Sequence, residues 1–179
     1  MRRNALAMFY LELVSGIRKG ELVALRWEDL DIPSKTVSVS KQATKDEDNH
    51  LIVARLKTEN SVRLISIPQE AVELLVREHA KHPSNPWLFP SSRTGAMYHP
   101  DSVVTLHQRI LKDAGLEHLR FHDLRRTFAT LALQNGVDIK TVSAMLGHYD
   151  AGFTLRTYTH TTTQNQDEAA QTMGNLMAP

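Results

Sequence analysis

Several side chains in this sequence are of types suited to handling a phosphate, and their spacing matters more than their number. His122 and Arg125 fall three apart in Phe121-His122-Asp123-Leu124-Arg125-Arg126-Thr127. On a helix that spacing places both on one face. A guanidinium is a rigid fork of donors matched to phosphate, and a helix N-terminus adds its positive end. The same pair also reads as a capping histidine beside a surface arginine. Arg18 follows the Ser15-Gly16 break and, read singly, is a solvated charge. Lys57 closes a strand-like run, where lysines commonly serve solubility. His148 directly follows Gly147, just past a helix end, the place of a C-cap partner. Tyr158 lies ten residues after His148; one tyrosine on a short helix usually packs. His160, with His148 and His122, invites a metal reading, but no carboxylate stands at a ligand spacing such as H-E-x-x-H.

Taken in order, Arg18, Lys57, His122-x-x-Arg125, His148 and Tyr158 strongly resemble the catalytic series of the tyrosine recombinase (phage integrase) family. The local contexts resemble it too. Ser15-Gly16-Ile17-Arg18-Lys19-Gly20-Glu21-Leu22 through Leu25-Arg26-Trp27 is similar to the first arginine motif of that family. Lys57-Thr58-x-x-Ser61-x-Arg63-x-Ile65-x-Ile67-Pro68 is similar to its β-hairpin lysine motif. His122-Asp123-Leu124-Arg125-Arg126-Thr127 resembles the H-x-x-R box, Leu146-Gly147-His148 the next box, and Thr154-Leu155-x-Thr157-Tyr158 the nucleophile segment. Several motifs in one order are far more specific than any single pattern. The resemblance covers residues 4–162. One departure is Arg126, where many members have histidine, a position outside the catalytic set. Another is that the first arginine comes already at position 18, so the chain reads as a catalytic domain without the DNA-binding domain that usually precedes it.

The resemblance implies a mainly α fold with a small antiparallel β-sheet (α+β), the tyrosine recombinase catalytic-domain fold. Residues 1–162 would form the catalytic domain and residues 163–179 a C-terminal tail helix. That tail either packs on its own domain or links protomers. The implied activity is site-specific DNA recombination, with strands cleaved and rejoined through a covalent 3′-phosphotyrosyl intermediate and with no metal, ATP or other cofactor. Tyr158 is then the nucleophile, Arg18 and Arg125 the phosphate clamp, and Lys57 the general acid. His122 either accepts the tyrosine proton or bonds the phosphate, and His148 bonds a non-bridging oxygen. Glu21, three residues after Arg18, reads as an orienting partner for an arginine or a backbone group. The implied partners are double-stranded recombination sites, further copies forming a homotetramer on DNA, and accessory DNA-bending or excision factors. The chain alone would be monomeric and bind DNA weakly, with strong salt dependence. The implied setting is the bacterial cytoplasm and nucleoid, as the integrase of a phage or conjugative transposon, with chromosome-dimer resolution as the alternative. A type IB topoisomerase shares the chemistry. A helical module that only grips phosphate is the non-enzymatic alternative.

Those groups need elements to position them, and composition bounds the elements. The chain has 179 residues, 41% hydrophobic and 23% charged, a balance that fits one folded domain rather than disorder. Its 21 Lys+Arg nearly cancel its 20 Asp+Glu, so net charge makes no case for nucleic acid. With no cysteine, disulfides, thiolate metal sites and a cysteine nucleophile are excluded. No apolar run approaches the roughly 18 residues of a membrane span, and the opening Met1-Arg2-Arg3-Asn4 does not read as a signal peptide because Glu12 interrupts the apolar stretch.

Periodicity predicts a helix over 4–14 with Leu6, Tyr10, Leu13 and Val14 on one face, and a second helix over 19–26. Alternation at Val37 and Val39 predicts a strand, and residues 44–50 an exposed connection. Leu51–Lys57 and Val62–Ile67 read as two more strands joined by a hairpin turn over 58–61. A helix opens at Pro68. A Pro-rich connection over 82–100 carries Trp87-Leu88-Phe89 as a core plug. Helices follow over 101–114, 122–135 and 139–146, with Gly115, Gly136 and Gly147 at their C-caps and Asp138 at an N-cap. Short helices over 153–160 and 165–177 end the chain.

Overall fold

The computed structural model describes residues 4–58, 61–148 and 150–158, apart from the side chains of Asn4, Arg156 and Tyr158. The expected helix over 165–177 and the expected tail over 163–179 lie outside the described residues. Helix α1 spans Asn4–Ser15 and α2 spans Lys19–Val23. Strands β1 (Leu30–Asp31), β2 (Thr36–Val39), β3 (Lys41–Lys45), β4 (Leu51–Arg55) and β5 (Arg63–Ser66) follow. Helices α3 (Gln69–His79), α4 (Pro100–Asp113), α5 (Phe121–Gln134), α6 (Ile139–Leu146) and α7 (Ala151–Tyr158) complete it. The fold is mainly helical with a small antiparallel β component, as expected.

Local chemistry explains most boundaries. Asp138 caps α6 by accepting from the Thr141 amide at 2.9 Å. Gly115, Gly136 and Gly147 take φ of +66°, +78° and +63°, the left-handed conformation that ends helices. Leu88 and Phe89 are buried. The Leu88 amide bonds Leu25 O at 3.0 Å, so the Pro-rich connection does plug the core.

The strands pair differently from the expectation. β4 and β5 do not form a hairpin with each other. β2 pairs with β5, Val37 opposite Ile65 and Val39 opposite Arg63, and β1 completes that sheet. β3 and β4 form a separate two-stranded sheet. The expected exposed connection over 44–50 is therefore partly strand. Its tip is a turn in which Asp46 Oδ1 accepts from the His50 amide at 2.7 Å and Asn49 adopts φ +69°. Alternation identifies strands but carries no information about partners, and a short connection between β4 and β5 suggested local pairing wrongly.

Two helix expectations also change. α2 ends at Val23 because the chain turns to pair with the Pro-rich segment, Trp27 N donating to Pro86 O at 3.1 Å. On α1 the inward face is Met8, Leu11, Glu12 and Ser15, while Leu6 and Leu13 are exposed and Tyr10 and Val14 are half-buried. This helix is apolar on nearly every side, so periodicity does not choose a face. Packing against α3 and α5 does.

Candidate active site

The site is built where α1, α2 and the C-terminal end of α6 meet around α5. Gly16 makes the first turn with φ +62°, and a side chain there would collide with the Phe128 ring and Leu146. Only glycine fits both the conformation and the space. This turn sets Arg18 as the residue preceding α2 and aims the Gly16 carbonyl at Arg125, which donates Nη1 to it. Arg125 is 3% exposed. Its Nη2 also donates to Leu146 O at 2.6 Å and lies 3.1 Å from His148 Nε2.

Arg18 is fixed by an acid one turn away. Glu21 Oε1 accepts from Arg18 Nη1 at 2.9 Å, and Glu21 Oε2 accepts from the Arg18 amide at 2.9 Å. Arg18 Nη2 donates to Gly147 O at 3.0 Å. The expected orienting role of Glu21 matches these contacts, but its strongest partner is Arg63, through Oε2 at 2.7 Å and Oε1 at 3.1 Å. Arg63 Nε donates to Met145 O at 2.7 Å. Three arginines thus hold three successive carbonyls at the end of α6, where orphan acceptors and the negative helix end favour cations. Glu21 is 0% exposed. Burial alone would raise its pKa, but hydrogen bonds and charge from Arg63 and then Arg18 turn the net direction downward, so it stays ionised.

An open cleft of about 530 Å³ runs along these residues, lined by Arg18, Lys19, Gln42, Arg120, His122 and Arg125 among others. His122 is exposed at its rim, in the first turn of α5. Loss of solvent, then the Arg125 charge, lower its pKa against the opposing pull of Asp123, leaving an imidazole able to accept a proton. His148 is pushed down to about 4 by burial and then by Arg125, Arg18 and Arg63. Its Nδ1 lies 2.7 Å from Thr154 Oγ1 on α7. Among the described residues no group of three His, Asp or Glu side chains could hold a metal ion.

Arg18, His122 and Arg125 therefore share one cleft, with His148 joined to it through Arg125. Lys57 does not line that cleft; it is exposed just beyond β4, whose partner β3 borders the cleft at Gln42. Tyr158 ends α7, and its hydroxyl lies outside the described set, as does His160. Sequence reasoning gave no role to Arg63, Thr154 or Glu12. Arg63 had a readable signal: it shares a strand face with Ile65 two residues on. Ile65 is fully buried, and an inward-facing arginine demands a buried acid.

Glu12 lies in the lining of the cleft at 1% exposure, its Oε2 without a hydrogen-bond partner among the described residues. Burial pushes its pKa up to about 8 from 4.5, with the Arg125 charge opposing. Between those values the folded chain holds a proton that the unfolded chain has lost. Stability should therefore fall as pH rises from about 4.5 to about 8 and level off above. Glu12→Gln keeps the neutral shape and should remove that fall, leaving the variant more stable near pH 8 by up to about 4 kcal/mol. Urea denaturation of parent and variant across this range tests it; a flat parent profile would contradict it.

The phage integrase family model matches residues 2–165. The chain belongs to the phage integrase family. A XerC-like tyrosine recombinase of Caldanaerobacter subterraneus subsp. tengcongensis is 30% identical over 95% of this chain and 49% of its own length. The ICEBs1 integrase of Bacillus subtilis is 28% identical over 94% of this chain and 48% of its own. The chain thus spans about half the length of these curated relatives. Among solved structures, the Tn1549 transposon integrase in complex with transposon right-end DNA superposes with a TM-score of 0.80 at 24% identity, over 96% of this chain and 58% of that one. The XerA recombinase superposes with a TM-score of 0.74 at 24% identity, over 96% and 57%. These likenesses carry the integrase-family catalytic fold, and no described helix is long and apolar enough to cross a membrane.

Proposed function

We propose that this integrase-family chain is the catalytic domain of a site-specific DNA recombinase that works through a 3′-phosphotyrosyl intermediate, without metal or ATP. The observation that carries this reading is the convergence of Arg18, His122 and Arg125 on one cleft, with His148 held against Arg125. The relatives named as recombinases and integrases, and a neighbour bound to transposon-end DNA, support DNA as the substrate.

A phosphodiester repels nucleophiles through its own charge. Arg18 and Arg125 neutralise its non-bridging oxygens and bind the more highly charged transition state better than the ground state. The Tyr158 oxygen attacks phosphorus and the bond to the 5′ oxygen breaks. The tyrosine proton passes to His122, and Lys57 supplies a proton to the departing 5′ oxygen. The new phosphotyrosyl bond keeps the energy of the broken one, so a second 5′-hydroxyl can reverse the steps on a different strand without ATP. Assembly of four copies on two recombination sites would supply that second strand.

The test is incubation with nicked suicide DNA bearing the element's ends, in EDTA and without nucleotide. A protein–DNA adduct that survives denaturation and disappears on proteolysis is the expected result. No adduct from the full-length protein on validated DNA would overturn the reading in favour of a binding module. The role of Lys57 has its own test. Lys57→Ala should slow cleavage by about 10²–10⁴. Replacing the bridging 5′ oxygen with sulfur should restore the rate, because a thiolate leaves without a proton. An unrescued variant would remove Lys57 from the acid's role.

A further inference from the structure

His148 stands between two partners with different requirements. Its Nε2 is 3.1 Å from Arg125 Nη2. A guanidinium has donors and no acceptor, so Nε2 must accept. The ring is then neutral with its proton on Nδ1, and Nδ1–H donates to Thr154 Oγ1 at 2.7 Å. Thr154 is 0% exposed, and the Phe153 ring stands edge-on to the imidazole with centroids 4.9 Å apart. The ring is held, and its nitrogens are fixed in place.

A phosphate oxygen inverts this arrangement. It offers only lone pairs, so Nε2 must carry a proton to serve it. Gaining one without losing the other would make an imidazolium. The charged groups facing the ring are Arg125, Arg18 and Arg63, and with burial they all disfavour that form. The neutral route is an exchange of tautomers, in which the ring releases the Nδ1 proton to water and takes one at Nε2, with no net change. Nδ1 then becomes an acceptor, and its buried partner must change from acceptor to donor. A hydroxyl can do both by rotating its O–H bond; a carboxylate or a backbone carbonyl cannot donate.

We propose that Thr154 is a positioning residue that lets His148 exchange tautomers, accepting from Nδ1 before a phosphodiester binds and donating to Nδ1 afterwards. The inference rests on the phosphate-clamp reading of the cleft. It also gives α7 a tie to that clamp, one helical turn before Tyr158.

The experiment is ¹⁵N NMR of the histidine rings in this chain, with His148 assigned through His148→Gln, titrated with inorganic phosphate. In the parent, Nδ1 should be protonated without phosphate, and the proton should move to Nε2 with phosphate. Thr154→Ser should behave as the parent. Thr154→Val, the same shape without the hydroxyl, should lose the exchange and bind phosphate about tenfold more weakly. A phosphate-free ring protonated at Nε2, or a full exchange with parental affinity in Thr154→Val, would overturn the proposal while leaving the clamp in place. Phosphate that leaves the Arg18 and Arg125 guanidinium signals unmoved would overturn the clamp, and the proposal with it. Should Thr154→Val fail to fold, the parent tautomers and the Thr154→Ser rescue still decide the matter.

Discussion

Tyr158→Phe is expected to take the covalent DNA adduct below detection while leaving DNA binding within about twofold of the parent. The substitution removes one oxygen and keeps the ring. The backbone of α7 keeps a tie to the site through Thr154 and His148. The loss should therefore be chemical rather than structural. No histidine or lysine near the cleft can take over as nucleophile and still leave a DNA end joined to a phenolic oxygen. The sequence contains 4 tyrosines, and Tyr149→Phe is the natural control because it stands next to His148. An adduct that persists in Tyr158→Phe and vanishes in Tyr149→Phe would move the nucleophile. An adduct lost in neither would point to a different attacking group. Equal behaviour of parent and Tyr158→Phe in every DNA assay would favour the binding-module reading.

Arg125→Lys is expected to slow strand cleavage by about 10³–10⁵, the range that a transition-state arginine contributes in phosphoryl transfer. The charge is conserved, so Glu12 keeps a cation beside it and the test isolates geometry. Arg125 reaches Gly16 O, Leu146 O and His148 Nε2 from one planar group. A lysine ammonium is a single point on a flexible stem and cannot span those three sites. The α1–α2 turn and the end of α6 lose their common tie, and the phosphate loses one arm of its clamp. Thermal unfolding measures the lost tie, and single-turnover cleavage of suicide DNA the lost clamp arm. A variant that cleaves within tenfold of the parent would show that Arg125 is a structural strut and that Arg18 carries the phosphate alone.

Much of this site was legible as residue types in order. Arg18, His122, Arg125 and His148 were named from motifs. The glycines ending α4, α5 and α6 and the Asp138 cap were read from local chemistry, because caps and turns depend on the few residues that form them. Strands were also recognisable, since alternation is a property of one segment. Their partners were not. The pairing of β2 with β5, and the insertion of the β3–β4 sheet between them in sequence, depend on which edges meet in space. The inward face of α1 was equally hidden, because its apolar residues ring the helix.

What the sequence by itself determined was the chemistry available: two arginines, a lysine, two histidines and a tyrosine in the order of the integrase family, along with helix ends that are locally encoded. What only the tertiary structure decided was which groups restrain which. Arg63 reaches Glu21 across 42 positions, Arg125 reaches Gly16 across 109, and Arg18 reaches Gly147 across 129. Buried charges must find partners wherever packing brings them. Local sequence specifies the charge, but the choice of partner belongs to the folded chain.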